Sequence, residues 1–467
     1  MIKKLIIFLI FAVCLNLTGC NQLNDNEKLL HPPKFSGEYQ TIYEVLKSSV
    51  PFSKISLQSP KSGKNRSAIT TYTSSIDKAE YAIAFYKSGL QKIDSKNSLR
   101  MGILQRSDEI WRCAWDIPCE GEEIDQIMFM ENSEKNNLYL IVGYVSSQSV
   151  QNKYYIYNLN VKNFKTIYSG EYNMMAVCDV DSDGNLELIT IGNYEKSDID
   201  TKNYDISNNI SDSKDTTRAI IHSISQNHVT LWGDAKMSPY YQKYTKISID
   251  QKTFKSTSLF VDSQRSNEKY STEILIFADN KLKNLTYEND LFVSSSRSYA
   301  PFSCDIDNDG EIEIPQTKPF PDYQATYSNE QNSPLPYITT WRKYKDKKLV
   351  KIFDTYLNHV YGFGIKLPNN WQDKVSIKQI YEDDEIEFFV YDNSDNNSKR
   401  SSRETLFKIK VEHQKNKGAL PKDYFILKSE GPLIYLASLN QPKNSSNSQL
   451  FMPMDQLKES FFIIRNV

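Results

Sequence analysis

Glycine is scarce in this chain, 16 of 467 residues, which excludes flexible-linker and collagen-like polymers. An excess of one charge is also missing: 56 Lys+Arg stand against 58 Asp+Glu, a net charge of −2. That balance supplies no electrostatic footprint for nucleic acid and no polybasic patch for anionic lipid. Apolar runs are short except at the start, and a mean hydropathy of −0.55 excludes a polytopic membrane protein. Histidine is limited to His31, His222, His228, His359 and His413, with no His-Glu-x-x-His pair among them. His222 and His228 have no acidic ligand at a matching spacing and read as surface or half-buried side chains. A G-x-S-x-G elbow, a Walker loop and a G-x-G-x-x-G turn are all absent. A triad without a motif, or a carboxylate pair for glycoside hydrolysis, is a matter of geometry that spacing does not reveal.

What is present is apolar and aromatic. Hydrophobic residues make up 39%, with 30 Tyr and 22 Phe. This is enough for a core, and Tyr and Phe suit the pleated surface of strands. At ~150 residues per domain the length corresponds to about three domains, or one large one with additions.

Residues Met1–Cys20 read MIKKLIIFLIFAVCLNLTGC. Lys3 and Lys4 give a positive start, and Leu5–Leu15 is an apolar run of signal-peptide length, too short to span a bilayer. An ordinary secretory signal and a single-pass anchor are the alternatives. Leu17-Thr18-Gly19-Cys20 resembles the bacterial lipobox: Leu, two small residues, Cys. The resemblance implies a lipoprotein signal peptide over 1–19, diacylglyceryl attachment at Cys20, and acyl chains such as palmitate on the mature terminus. A thiolate is nucleophilic enough to take the lipid. Two or more chains, at ~0.8 kcal/mol per buried CH₂, hold stably to a membrane. Residues 20–34 are polar, close on Pro32-Pro33 and read as a tether. Among the other cysteines, Cys113 and Cys119 either close a small disulfide loop or stay as two thiols.

The two strongest motifs are Asp179-Val180-Asp181-Ser182-Asp183-Gly184-Asn185-Leu186-Glu187 and Asp305-Ile306-Asp307-Asn308-Asp309-Gly310-Glu311-Ile312-Glu313. Both read D-x-D-x-D-G-x-x-E, both follow a Cys (Cys178, Cys304), and both lead into alternating apolar residues. Alternate side chains of a tight loop converge on one point, and Gly permits the left-handed turn that closes it. The carboxylates of Asp179, Asp181, Asp183, Asp305, Asp307 and Asp309 are the hard oxygen ligands that Ca²⁺ takes. Backbone carbonyls of Asn185 and Glu311 at position seven complete the spheres, and Glu187 and Glu313 at position nine act through water. An EF-hand fails, because its twelfth position needs Glu and here holds Thr190 or Gln316. An acidic turn without metal is the plain alternative. Cys178 and Cys304, at equivalent positions, are expected in packed interiors.

A strand–loop–strand hairpin of this kind resembles the FG-GAP or VCBS repeat of integrin-alpha-like β-propellers. Two weaker copies fit the same frame. Phe129–Gly143 keeps Glu131 in the first ligand slot but has Ser133, Lys135 and Tyr139 in others. Ala68–Ala84 keeps Glu80 in the ninth and has Tyr72, Ser74 and Ile76 elsewhere. Both are expected to keep the strands and to have lost the ion. The ninth positions fall at 80, 139, 187 and 313, and the long last interval has room for a further copy without an acidic loop. Thr217–Trp232 and Ser256–Leu285 alternate well enough to be intervening strands. The resemblance implies a mainly β chain: a β-propeller-like repeat region over 35–355, of six or seven blades.

Near Tyr356 the pattern changes. Strand candidates follow at Val375–Tyr381, Ile386–Tyr391, Leu406–Val411, Tyr424–Leu427 and Leu433–Leu439, then a short helix over Met454–Ile464 capped by Asp455. Residues 356–467 therefore read as a small β-rich α+β domain. It resembles the C-terminal domain behind such repeats in clostridial-type lipoproteins, which implies no known chemistry. The functional expectation is a membrane-anchored, extracytoplasmic lipoprotein of the cell envelope. Its propeller is stabilised by structural calcium and binds an unknown protein or glycan, with no nucleic acid and no legible catalytic residues. The alternatives are an envelope hydrolase acting on glycans or peptides and a purely structural envelope protein.

Overall fold

The computed structural model describes residues 37–51, 54–88, 99–132, 137–147, 149–160, 164–194, 216–239, 241–254, 256–265, 269–279, 281–292, 294–298, 301–323, 336–380, 383–391, 404–414, 421–443 and 445–464. The signal segment, Cys20 and the tether lie outside them, as do Ser133 and Lys135.

The chain is mainly β, in open sheets that follow one another along the sequence, none closed into a barrel among the described residues. The first contains β1 (Ile55–Gln58), β2 (Ile69–Thr73), β3 (Glu80–Ser88), β4 (Leu99–Ser107) and β5 (Ile110–Pro118), in order β1-β3-β4-β5 with β2 also on β3. The second runs β6-β7-β8-β9 through Ile124–Asn132, Asn137–Tyr144, Asn152–Asn158 and Thr166–Tyr172. The third is β10 (Met174–Cys178), β11 (Glu187–Tyr194), β12 (Thr216–Ser225) and β13 (His228–Lys236). The fourth is β14 (Tyr241–Asp250), β15 (Ser258–Arg265), β16 (Tyr270–Ala278) and β17 (Lys281–Asn284). It fills the long interval between the two acidic motifs and carries no acidic loop of its own.

The fifth sheet joins β18 (Ile314–Pro319), β19 (Tyr337–Lys345), β20 (Lys348–Asn358), β21 (Phe363–Leu367) and β27 (Phe461–Ile463). The sixth has order β22-β23-β24-β26-β25 from Val375–Ile380, Glu385–Val390, Thr405–His413, Leu433–Leu439 and Phe425–Glu430. Strand β20 runs through Tyr356, and β21 and β27 pair onto the same sheet. The C-terminal helix spans Met454–Ser460 and gives way to β27. Its N-cap is Pro453, with no side-chain cap, so Asp455 is not the cap expected from the sequence. Asp455 sits in the first turn, where a carboxylate favours the positive end of the helix.

The chain divides by its internal contacts into two compact units. One holds the described part of Met1–Glu131 with Leu138–Ser147 and Tyr154–Thr166; the other holds Asn132–Asn137, Gln148–Lys153 and Ile167–Val467. In the first, β3 shows why a nearly all-apolar strand forms: its alternate residues fill two cores. Tyr81, Ile83 and Phe85 join Met101, Ile103, Leu138 and Leu140. Ala82, Ala84 and Tyr86 face α1 (Glu38–Ser49), whose Ile42 and Leu46 are buried at helical spacing. Gly102 makes the close approach possible, since a Cβ there would lie 2.4 Å from Leu46 Cδ1.

The second unit repeats this two-faced logic. Ile189, Ile191, Ala219 and Ile221 of the third sheet pack against Leu259, Val261 and Leu275 of the fourth. Phe260 and Ile274, on the other face of the fourth, pack with Ile312, Ile314 and Leu349. Phe363, Ile365 and Tyr356 of the fifth meet Ile377, Phe388 and Phe407 of the sixth, where Phe388 and Phe407 stack at 4.4 Å. Three hairpins turn on two residues that both have positive φ: Asp108-Glu109, Gln226-Asn227 and Asp346-Lys347. This is the primed turn geometry that matches strand twist. Among the described residues no helix is long and apolar enough to cross a membrane.

Candidate metal-binding loops

Each acidic motif occupies the connection of a β-hairpin. Cys178 pairs with Glu187 across β10–β11, and Cys304 bridges Glu313 just ahead of β18. The loops are therefore flanked by extended chain, as the alternating apolar residues predict. Gly184 and Gly310 both sit at φ 89°, the left-handed conformation the turn requires.

The two loops share one pattern of backbone-to-carboxylate hydrogen bonds. Asp179 Oδ1 accepts from the Asp183 N–H at 3.2 Å and Asp179 Oδ2 from the Gly184 N–H at 2.9 Å. Asp305 does the same for Asp309 and Gly310 at 3.0 and 2.8 Å. Glu187 Oε2 accepts from the Val180 N–H, and Glu313 Oε2 from the Ile306 N–H, each at 3.0 Å. The result is one gathering of carboxylates per loop. Asp179, Asp181 and Glu187 each offer an oxygen within 4.8 Å of the others, and so do Asp305, Asp307 and Glu313. Asp183 turns to Asn185, accepting from its N–H at 2.7 Å and its Nδ2 at 3.0 Å. Asp309 likewise accepts from the Glu311 N–H at 2.9 Å.

The electrostatics of both loops favour a cation. Glu187 is 3% exposed, and burial together with the charges of Asp181, Asp183 and Asp179 pushes its carboxyl up to about 8. Burial, then the neighbouring aspartates, also raises Asp181. Glu313 is fully buried and is pushed up to about 7 by burial. Its Oε1 accepts no hydrogen bond and has the Lys343 ammonium 3.0 Å away. A bound divalent ion would compensate the charge that burial penalises, through hard oxygen donors of the kind Ca²⁺ takes. The residues present fit such an ion.

Four residues around these loops carry no motif, and the sequence did not single them out. Thr257, between β14 and β15, donates its hydroxyl to the Asp179 carbonyl at 2.6 Å. Asp250 Oδ2 accepts from the Ile312 N–H at 3.0 Å, and Lys252 Nζ donates to the Asp309 carbonyl at 2.6 Å. Lys343, on β19, lies among the acids of the second loop. The length of the interval between the two motifs and the alternation of Ser256–Leu285 pointed to intervening strands there, but not to these contacts.

The loop of the earliest copy is built from hydroxyls. Ser74 Oγ accepts from the Ile76 and Asp77 N–H groups at 3.2 and 3.4 Å, and Thr73 pairs directly with Glu80. The ladder thus closes further into the turn than in the acidic loops. Glu131 accepts from the Ser75 N–H at 2.7 Å, so the surviving acid of the second copy serves the loop of the first.

The remaining polar candidates are structural. His222 is buried, contrary to its reading as a surface or half-buried side chain. It lies on β12 with Nε2 3.0 Å from Thr190 Oγ1, and burial pushes it down to about 4. His228 is exposed. Cys178 and Cys304 are buried in apolar clusters, and burial pushes both thiols up to about 12. Cys113 and Cys119 are free thiols. Six residues of extended strand place them roughly 20 Å apart, well beyond the ~7 Å between Cα atoms that a disulfide spans.

No family model and no curated protein matches the chain. Among solved structures it is similar to the crystal structure of Sqt1 from Chaetomium thermophilum, at 8% identity and a TM-score of 0.29. That similarity covers 67% of this chain and 65% of the neighbour's length, and at this score it carries no argument.

Proposed function

We propose that this chain is a lipid-anchored extracytoplasmic protein of the cell envelope. Its repeat region is propeller-like, is stabilised by calcium, and acts as a binding or interaction module for a protein or glycan. The observation that carries the calcium reading is the shared backbone hydrogen-bond pattern of the two acidic loops, each gathering two aspartates and a buried glutamate. Asp179, Asp181, Asp183 and Glu187 with the Asn185 carbonyl would hold an ion in one loop. Asp305, Asp307, Asp309 and Glu313 with the Glu311 carbonyl would hold one in the other. Calcium there supplies positive charge that pins the hairpin. At ambient calcium ~10 times a Kd of ~10⁻⁴–10⁻³ M, each occupied loop gains about 1.4 kcal/mol. The propeller reading is supported by sheets that follow one another in sequence and pack face to face in the second unit. The anchor reading rests on the Leu17–Cys20 motif.

Two measurements test this reading. Chelation lowers the melting temperature and added calcium restores it, while Asp181→Ala lowers it in calcium and removes the share of the chelator response that its own loop supplies. A melting temperature indifferent to both ends the calcium reading. Cys20→Ser releases the protein from membranes into the soluble fraction, and persistent anchoring of that variant ends the lipoprotein reading.

A further inference from the structure

One difference between the two acidic loops lies at a cross-strand position outside the motif. In the fifth sheet Ile314 pairs with Arg342, so Glu313 stands opposite Lys343. In the third sheet Leu188 pairs with His222, so Glu187 stands opposite Ser223. The strand holding this position has a register shift at the same place in both sheets, between Trp341 and Arg342 and between Ile221 and His222. The positions are thus equivalent, one a lysine and the other a serine. Lys343 Nζ lies 2.9 Å from Glu311 Oε2 and 3.0 Å from Glu313 Oε1, and it donates to Asp309 Oδ2. The earliest copy, whose acidic loop is gone, has Arg106 at this position, paired with Glu80 at 2.9 Å.

We infer that Lys343 is a tethered counter-cation of the 305–313 loop, so that the exchangeable calcium of this protein belongs to the 179–187 loop. A fixed ammonium inside the carboxylate cluster offsets the negative charge that draws a divalent ion. It must also be displaced before the ion enters. Ser223 imposes neither obstacle on the first loop. This inference rests on the calcium reading of the acidic loops and divides their roles.

The experiment uses the full-length protein in detergent, titrated with calcium chloride by calorimetry and melted in chelator and in calcium. The wild type shows one principal site and a second at least about tenfold weaker. Lys343→Ser strengthens the weaker site to within about threefold of the first, and Ser223→Lys weakens the principal site by about tenfold. In chelator, Lys343→Ser melts several degrees below wild type, and calcium restores it. Two equivalent sites in the wild type overturn the inference, as does a Lys343→Ser variant unchanged in both affinity and chelator melting. If the wild type binds no calcium and Lys343→Ser still melts lower in chelator, the calcium reading falls and the tethered cation stands.

Discussion

The Thr257 hydroxyl donates a 2.6 Å hydrogen bond to the carbonyl of Asp179, the first residue of an acidic loop. This bond ties the acidic hairpin of one sheet to the first hairpin of the next. Asp250 continues the pattern, holding its own turn through the Lys252 and Thr253 N–H groups at 2.6 and 3.0 Å and reaching the Ile312 N–H of the second acidic loop. Asp250 is 1% exposed and Thr257 is 3% exposed, so neither bond is exchanged freely for water. Asp250→Ala leaves the buried Ile312 amide and two partly buried turn amides without their acceptor and is expected to cost about 2–4 kcal/mol, against about 1 kcal/mol for Thr257→Val. Urea denaturation of the two variants measures both, and equal small losses would show that the fourth sheet does not brace the acidic loops.

The left-handed glycines separate backbone strain from crowding. A Cβ on Gly184 meets nothing within 4 Å, so Gly184→Ala carries only the conformational cost, about 1–2 kcal/mol. A Cβ on Gly310 would lie 2.2 Å from Lys252 Nζ, the flexible end of a side chain that must move aside. Gly310→Ala is expected to cost at least as much and to break the bond from Lys252 to the Asp309 carbonyl. Thermal melting of the pair, with Lys252→Ala as the control for that bond, checks the ordering.

A buried ion pair links β15 to Arg297, which bridges β16 at Tyr270. Arg297 Nη2 meets Asp262 Oδ1 at 2.7 Å with both side chains fully buried, and Asp262 also accepts from Thr272 Oγ1 at 2.6 Å and the Ser303 N–H at 2.8 Å. Removing one partner strands a charge in the interior, so Asp262→Ala is expected to cost about 3–5 kcal/mol. The half-exposed Lys61–Glu123 pair is the contrast, where Lys61→Ala is expected to cost under about 1 kcal/mol. Denaturant midpoints for the two variants test the difference.

His222 gives the fold a dependence on pH. Unfolded, the ring takes a proton below about 6.5; folded and buried, only below about 4. Between these values the unfolded chain binds more protons. The contribution is fully present above pH 6.5 and is lost as pH falls toward 4, by up to about 3 kcal/mol. His222→Gln should flatten the stability profile over this window in denaturation measured at pH 7.5, 6 and 5. A profile with the wild-type slope would show that other groups carry the titration.

The hairpins of the acidic motifs were legible because their information is local. Nine contiguous residues hold the alternating carboxylates, the glycine and the flanking strand pattern, and the loop closes by bonds among those same residues. The two weaker matches to the frame were legible only as strands; in the first, Ser74 accepts within the turn and the ladder reaches inward to Thr73–Glu80. The two-residue turns at Asp108-Glu109, Gln226-Asn227 and Asp346-Lys347 lack the Asn-Gly or Asp-Gly signature, and no sequence signal announced them. The burial of His222 has no signal in the sequence, because one imidazole in a strand gives no sign of which face is covered.

The sequence by itself determined a β-rich chain with two acidic hairpin loops, because strand alternation and turn chemistry are set by neighbours in the chain. Only the tertiary structure decided what those loops meet. Lys343 reaches Glu313 from 30 residues away and Thr257 reaches Asp179 from 78, through cross-strand register and sheet-to-sheet contact. Register is fixed by which apolar faces are buried together. That choice is made by the whole packed unit, so it places a lysine beside one glutamate and a serine opposite its twin.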